Sequence, residues 1–262
     1  MPISHFPDWD CFEIGTRDGD RPVAFCADLS PDSVLAAYRN GVIPFPASDE
    51  YVRNINEFRY EDQVQAGLIG LVGDLRADPY WVAWWSPDPR PVLDAGGVHL
   101  GRNVRKQLRR GTEHTTADSS FQRVAEECRA GREPRWLTDT LLETMTGLHR
   151  AGWAHSIEVW LDGDLVGGAL GVGLGLLISG DSMFSRHANA ARIAVADMAA
   201  RFAAAGGQLI DAQWDSPFLR SLGTQQVPRE DYLRLLAGQA EPAPLPRQPL
   251  PARRLIQPPG QY

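Results

Sequence analysis

The segment LIDAQ (209–213) sets Asp211 and Gln213 two residues apart. On a strand that spacing puts both side chains on one face. A carboxylate and an amide there could hold a reacting amine by hydrogen bonds. Glutamine is neutral and a poor base, so its work would be positioning through its carbonyl oxygen. The alternative for two such residues is an ordinary solvent-facing strand. GDSMFSR (180–186) reads as a strand end turning toward a helix, and it gathers Asp181, Ser182, Met183 and Phe184. GRNVRKQLRRG (101–111) places Arg102, Arg105, Lys106, Arg109 and Arg110 at i, i+3, i+4, i+7 and i+8, one helical face, with Val104 and Leu108 opposite. Such a strip grips phosphates by charge rather than by reading bases; a merely solvated helix face is the alternative.

Other chemistries are excluded by spacing. Gly171, Gly173 and Gly175 do not fit G-x-G-x-x-G and sit between strands, and no Gly-Lys-Ser/Thr occurs. Those glycines suit bulges or close backbone approach. His149 and His155 are single histidines, read as structural. Cys11, Cys26 and Cys128 form no C-x-x-C pair, so neither a zinc site nor a disulfide framework is expected, and no metal ligand is assigned.

The 262 residues carry 33 acidic and 26 basic side chains, a net charge of −7. That balance argues against a protein that coats nucleic acid. Yet the strip at 101–111 holds five cations and no acid, and Lys106 is the sole lysine of the chain. No apolar run reaches membrane-spanning length, and the start lacks a signal-peptide pattern, so a reducing cytoplasmic location is expected.

Among the elements that must position these residues, a helix is expected over 31–39, capped by Ser30 and ended at Asn40 and Gly41. A Pro-broken apolar corner follows at 41–46. Residues 48–80, with seven acids against three bases and weak periodicity, read as an inserted surface loop or short hairpin. Strands flank the Pro-rich turn in WVAWWSPDPRPVL (81–93). Amphipathic helices follow at 118–130 and from Thr138 to Gly152, then Gly-punctuated antiparallel strands over 155–180. A helix at 189–205, a strand at 208–214, a short helix ending at Gly223 and another from Pro228 complete the order. The Pro-rich segment 241–262 reads as a disordered tail. This is an α+β pattern of helices on a mainly antiparallel sheet.

Taken in order, DLSPDSVLAAYRNGVIPF (28–45), WWSPDPRPVL (84–93), the basic helix, RWLTDTLLETMTGLHRAGWAHSIEVW (135–160), DLVGG (164–168), GDSMFSR, LIDAQ, SLG (221–223) and VPREDYLRLL (227–236) resemble the leucyl/phenylalanyl-tRNA–protein transferases. The resemblance implies a small N-terminal α/β domain (1–88, carrying the 48–80 insertion) packed on a GNAT-type acyltransferase domain (89–240). It implies transfer of Leu or Phe from aminoacyl-tRNA to proteins with N-terminal Arg or Lys, which marks them for degradation. It also implies that no metal or acyl-CoA is used; no cofactor is expected, and since nothing in the sequence suggests an obligate oligomer, a monomer is expected. A small-molecule or other amine acceptor is the alternative.

By position, Asp211 and Gln213 match the pair that assists the attacking amine. Asp181 stands where the family usually has Glu. Arg102, Arg105 and Arg109 match the positions that bind the tRNA acceptor end, with Lys106 and Arg110 beside them. In the aminoacyl pocket Ser182, Met183, Trp136 and Phe202 match, while Phe45 stands for the usual Trp. Met145, Ala169 and Ile178 also depart from the common residues, as does Ala212. These changes keep the wall apolar but reshape it, and a methylene-scale change discriminates by only about 1–3 kcal/mol. The acidic insertion would suit a basic acceptor N-terminus.

Overall fold

The computed structural model describes residues 9, 12–74, 77–131, 135–238, 241–243 and 245–257. In chain order the elements are β1 (Ala24–Phe25), α1 (Pro31–Arg39), β2 (Ile43–Pro46), α2 (Glu50–Gln65), β3 (Gly70–Leu71), β4 (Val82–Trp85), β5 (Arg90–Asp94), α3 (Arg102–Arg110), β6 (His114–Ala117), α4 (Phe121–Arg129), α5 (Asp139–Arg150), β7 (Ala154–Leu161), β8 (Asp164–Leu174), β9 (Leu177–Ser185), α6 (Ala190–Ala204), β10 (Leu209–Asp211), α7 (Pro217–Arg220), β11 (Gln225–Val227), α8 (Arg229–Leu236) and β12 (Leu250–Pro251). The chain is mixed α/β and divides into two compact units. One takes 1–89, 129–148 and 227–239; the other takes 90–128, 149–226 and 240–262. The first unit thus draws on two later segments that a linear boundary at 88 does not include.

In the first unit the sheet order is β2-β4-β1-β3, with β1 and β3 parallel and the other pairs antiparallel. Helix α1 starts where Ser30 accepts the Ser33 N–H and Pro31 fills the first turn. It stops at Gly41, whose φ of +69° suits glycine, and a Cβ there would meet Leu233 of α8 at 2.6 Å. The loop or hairpin expected over 48–80 instead contains the 16-residue helix α2. Asp49 accepts the Val52 N–H at 2.9 Å as its cap, and Tyr60 turns inward onto Phe25, ring centroids 5.7 Å apart. Tyr60 is the helix's only buried residue while Tyr51, Ile55 and Phe58 stand on the opposite, exposed side, so apolar residues on both faces blur the periodicity and the acids read as loop.

In the second unit the strand order is β11-β5-β10-β9-β8-β7-β6-β12. The pairs from β5 to β12 are antiparallel apart from β9 with β10. That parallel pair needs a crossover, and α6 supplies it. Its Ile193, Met198 and Phe202 join Leu93, Ile157, Val159, Ala169 and Ile178 in the buried core. The Gly-rich strands serve close approach: a Cβ on Gly171 would lie 2.0 Å from the Ser179 carbonyl oxygen.

The expected disordered tail gives way, over its described residues, to structure. Leu250 pairs with Thr115 and Pro251 with His114, and Ala243, Leu245 and Ala252 are buried. Proline is compatible with an edge strand, where a missing N–H faces outward. Arg254 donates to the buried Asp197, which also accepts from Thr115 (2.7 Å) and Arg201 (2.6 Å). Residues 258–262 lie outside the described residues.

Candidate functional site

Antiparallel pairing of β5 with β10 sets Val92 opposite Asp211 and brings Arg90 alongside. The Arg90 guanidinium donates from Nε to both Asp211 oxygens at 3.0 Å and from Nη2 to Oδ2 at 2.7 Å. Their side chains are 1% and 0% exposed. Ion pairs this buried lose heavily if one partner is removed.

The expected shared strand face for Asp211 and Gln213 does not occur. β10 ends at Asp211, and Gln213 stands at φ +60°, in the left-handed region. The chain turns because the Gln213 N–H donates to Asp211 Oδ1 at 2.8 Å. The turn aims the Gln213 amide at β9. There Nε2 donates to Ser179 Oγ at 2.8 Å and to Asp181 Oδ1. Ser179 Oγ also donates to Asp181 Oδ1 at 3.0 Å, and parallel register sets Ser179 beside Asp211. The result is a polar line from Arg90 through Asp211 and Gln213 to Asp181. Asp211 fixes the Gln213 backbone, and the side-chain amide is oriented through Nε2 by Asp181 and Ser179.

Around this line β8 and β9 pair Ala169 with Met183, Leu170 with Ser182 and Gly173 with Ile178. Ala169, Ile178 and Phe202 belong to one buried apolar cluster, with Met183 packed against it. In the other unit Phe45 and Trp136 form a tilted ring pair at 6.4 Å. The Trp136 indole N–H donates to the Pro44 carbonyl at 2.8 Å, and Met145 is fully buried.

On α3 the basic residues Arg102, Arg105, Lys106, Arg109 and Arg110 are all exposed, while Val104 and Leu108 are buried. Among the described residues none of the five forms an ion pair. The helix is anchored through Gln107. Its Nε2 donates to Glu113 at 2.8 Å and to the Ala188 carbonyl at 3.1 Å. A cleft of about 420 Å³ opens at the N-terminal end, lined by Arg102, Asn103, Asn189 and Arg192 among others. The arrangement can receive phosphate groups without first breaking internal pairs.

Sequence reasoning missed Arg90 and Ser179. The signal for Arg90 was a charged residue heading a buried run, RPVL. It also missed that the lone histidines gather on one carboxylate. His155 Nδ1 lies 2.9 Å from Asp118 Oδ2, Arg247 Nε lies 3.2 Å from it, and the His149 ring stacks on Phe121 at 4.2 Å. Burial pushes the Asp118 carboxyl up. The His155 hydrogen bond and charge, with the Ser156 N–H, outweigh it and hold Asp118 below the usual carboxylate range. Nearby, burial raises the Glu158 carboxyl despite its bonds from Ser156, Thr116, Ser120 and Ser119. Burial likewise lifts the Cys26 thiol to about 11. Among the described residues no cluster of three or more His, Cys, Asp or Glu could hold a metal ion, and no helix is long and apolar enough to cross a membrane.

The family described as leucyl/phenylalanyl-tRNA protein transferase matches residues 92–237. The leucyl/phenylalanyl-tRNA–protein transferase of Teredinibacter turnerae is 36% identical over 225 residues, covering 84% of this chain and 75% of its own. That of Myxococcus xanthus is 36% identical over 219 residues, 82% of this chain and 81% of its own. That of Salmonella paratyphi A is 37% identical over 242 residues, 92% and 88%. The matched span contains Asp181, Asp211, Gln213 and the basic helix, and on this similarity the chain belongs to the leucyl/phenylalanyl-tRNA–protein transferase family.

Proposed function

We propose that the protein is an aminoacyltransferase that moves leucine or phenylalanine from its tRNA ester to the α-amine of a protein beginning with Arg or Lys. The product carries an N-terminal signal for degradation, and the reaction belongs to the cytoplasm. The observation that carries this reading is the hydrogen-bonded line Arg90–Asp211–Gln213–Asp181. In the reaction the neutral amine attacks the ester carbonyl, a C–N bond forms and the C–O bond to the tRNA ribose breaks. The ribose oxygen leaves as a hydroxyl and takes up a proton as the amine loses one. Gln213, its Nε2 held by Asp181 and Ser179, turns its carbonyl oxygen to the amine N–H and aligns the lone pair. Asp211 is a positioning group here: Arg90 neutralises it, and it fixes the turn at Gln213.

The second unit is read as the GNAT-type body. Its largely antiparallel sheet and the α6 crossover between β9 and β10 support that reading. Ala169, Ile178, Met183 and Phe202 supply apolar wall for the aminoacyl side chain, and α3 takes the acceptor-end phosphates. A small-molecule amine as acceptor is the second reading. It is favoured by the short Asp181 side chain, already engaged by Gln213 and Ser179. Incubation with labelled leucyl- or phenylalanyl-tRNA and an Arg-starting peptide tests the choice. RNase-sensitive labelling of the peptide is expected. Transfer to free amines but not to the peptide would favour the second reading, and no transfer at all would reject both.

A further inference from the structure

Helix α2 turns Tyr60 inward and sets Tyr51, Ile55 and Phe58 on the opposite face, at i, i+4 and i+7. They are 74%, 41% and 89% exposed. A stripe of large apolar side chains on water is unusual for a helix whose other face is already seated. Asp62 continues the stripe one turn beyond Phe58, and Glu50 and Glu61 lie on its flank. Of the two bases on α2, Arg53 is held by Glu57 and Asp78, and Arg59 lies over the Tyr60 ring at 5.3 Å. Among the described residues the border of the accessible apolar face is thus net acidic, Glu50, Glu61 and Asp62 outnumbering the exposed Arg59. Nucleic acid and anionic lipid are repelled by that border, whereas a cationic amphipathic chain matches both of its components.

We propose that the Tyr51–Ile55–Phe58 face of α2 is a docking surface for a segment of another protein in which apolar side chains alternate with Arg or Lys. The apolar side chains of that segment cover the stripe, and its cations meet Glu50, Glu61 and Asp62. The test uses the full chain and an N-acetylated, fluorescently labelled Leu/Arg peptide, which has no free α-amine and so cannot accept an aminoacyl group. Saturable binding is expected in anisotropy. Ile55→Ser with Phe58→Ser weakens it about ten-fold or more. Asp62→Arg weakens it too, and a Leu/Glu peptide does not bind. These positions are exposed, so melting temperatures stay unchanged; Phe58→Ala alone is the milder variant should the double one lose stability. Undiminished binding by the variants overturns the proposal. So does a dimer in sedimentation that Phe58→Ser dissolves, which assigns the face to a second copy. Equal binding to zwitterionic vesicles overturns it as well. Transfer activity plays no part in the readout, so its failure leaves the transferase reading standing.

Discussion

Arg90 and Asp211 form a pair in which each side chain depends on the other for burial. Replacing Arg90 by Met leaves a carboxylate in the core, and a loss of about 3–5 kcal/mol is expected in denaturant unfolding. Gln213→Ala is a different experiment. It removes the amide but keeps the backbone N–H that donates to Asp211. Asp181 and Ser179 lose a buried donor, so unfolding should shift by about 1–3 kcal/mol, less than for Arg90→Met, while kcat for aminoacyl transfer falls about 10- to 100-fold with KM for the tRNA unchanged. A fall in stability as large as that of Arg90→Met would assign Gln213 to the scaffold instead. The pair Asp211 and Gln213 was legible in LIDAQ, but its geometry was not. Alternation assumes an unbroken strand, and nothing in the letters announces a φ of +60° at a glutamine.

At the scale of the elements, α3 was legible because its two classes of residue separate cleanly around the helix. Val104 and Leu108 go in, and five cations stay out. Arg105→Glu with Arg109→Glu should leave the melting temperature in place. It should weaken binding of charged tRNA and flatten the slope of log K against log salt, by about 0.7–0.9 for each phosphate no longer neutralised. An unchanged slope would make the strip ordinary solvated surface. Helix α2 and strand β12 were not legible, for different reasons. α2 carries large apolar residues on both its buried and its exposed sides, which blurs its periodicity, and β12 hides in Pro-rich sequence whose order comes from its partner β6. Arg254→Ala tests that order: Asp197 loses one of its buried donors, and a cost of about 1–3 kcal/mol is expected in thermal unfolding.

For the whole molecule, two buried carboxylates in the second unit give stability opposite responses to pH. Asp118 titrates below its ordinary 3.8 in the folded chain, so its contribution is present above that value and is lost as pH falls through the folded pKa. Glu158 titrates above its ordinary 4.5. The folded state therefore holds its proton more tightly, and that contribution is full below 4.5 and is lost as pH rises through the folded pKa. Unfolding followed from about pH 4 upward should show this decline in the wild type and lose it in Glu158→Gln. A decline that persists in the variant would place its origin elsewhere.

The lysine on α3 has a practical consequence for following the protein at work. Lys106 is the chain's sole lysine, and it stands exposed among the arginines. Apart from the amino terminus, an amine-directed reagent meets one address, on the exposed cationic face of α3 proposed to take the tRNA phosphates. The rate at which that address is acylated becomes a footprint of occupancy, readable by mass without any engineered label. Arginine, whose guanidinium stays charged and does not react with such reagents, keeps the rest of the surface silent.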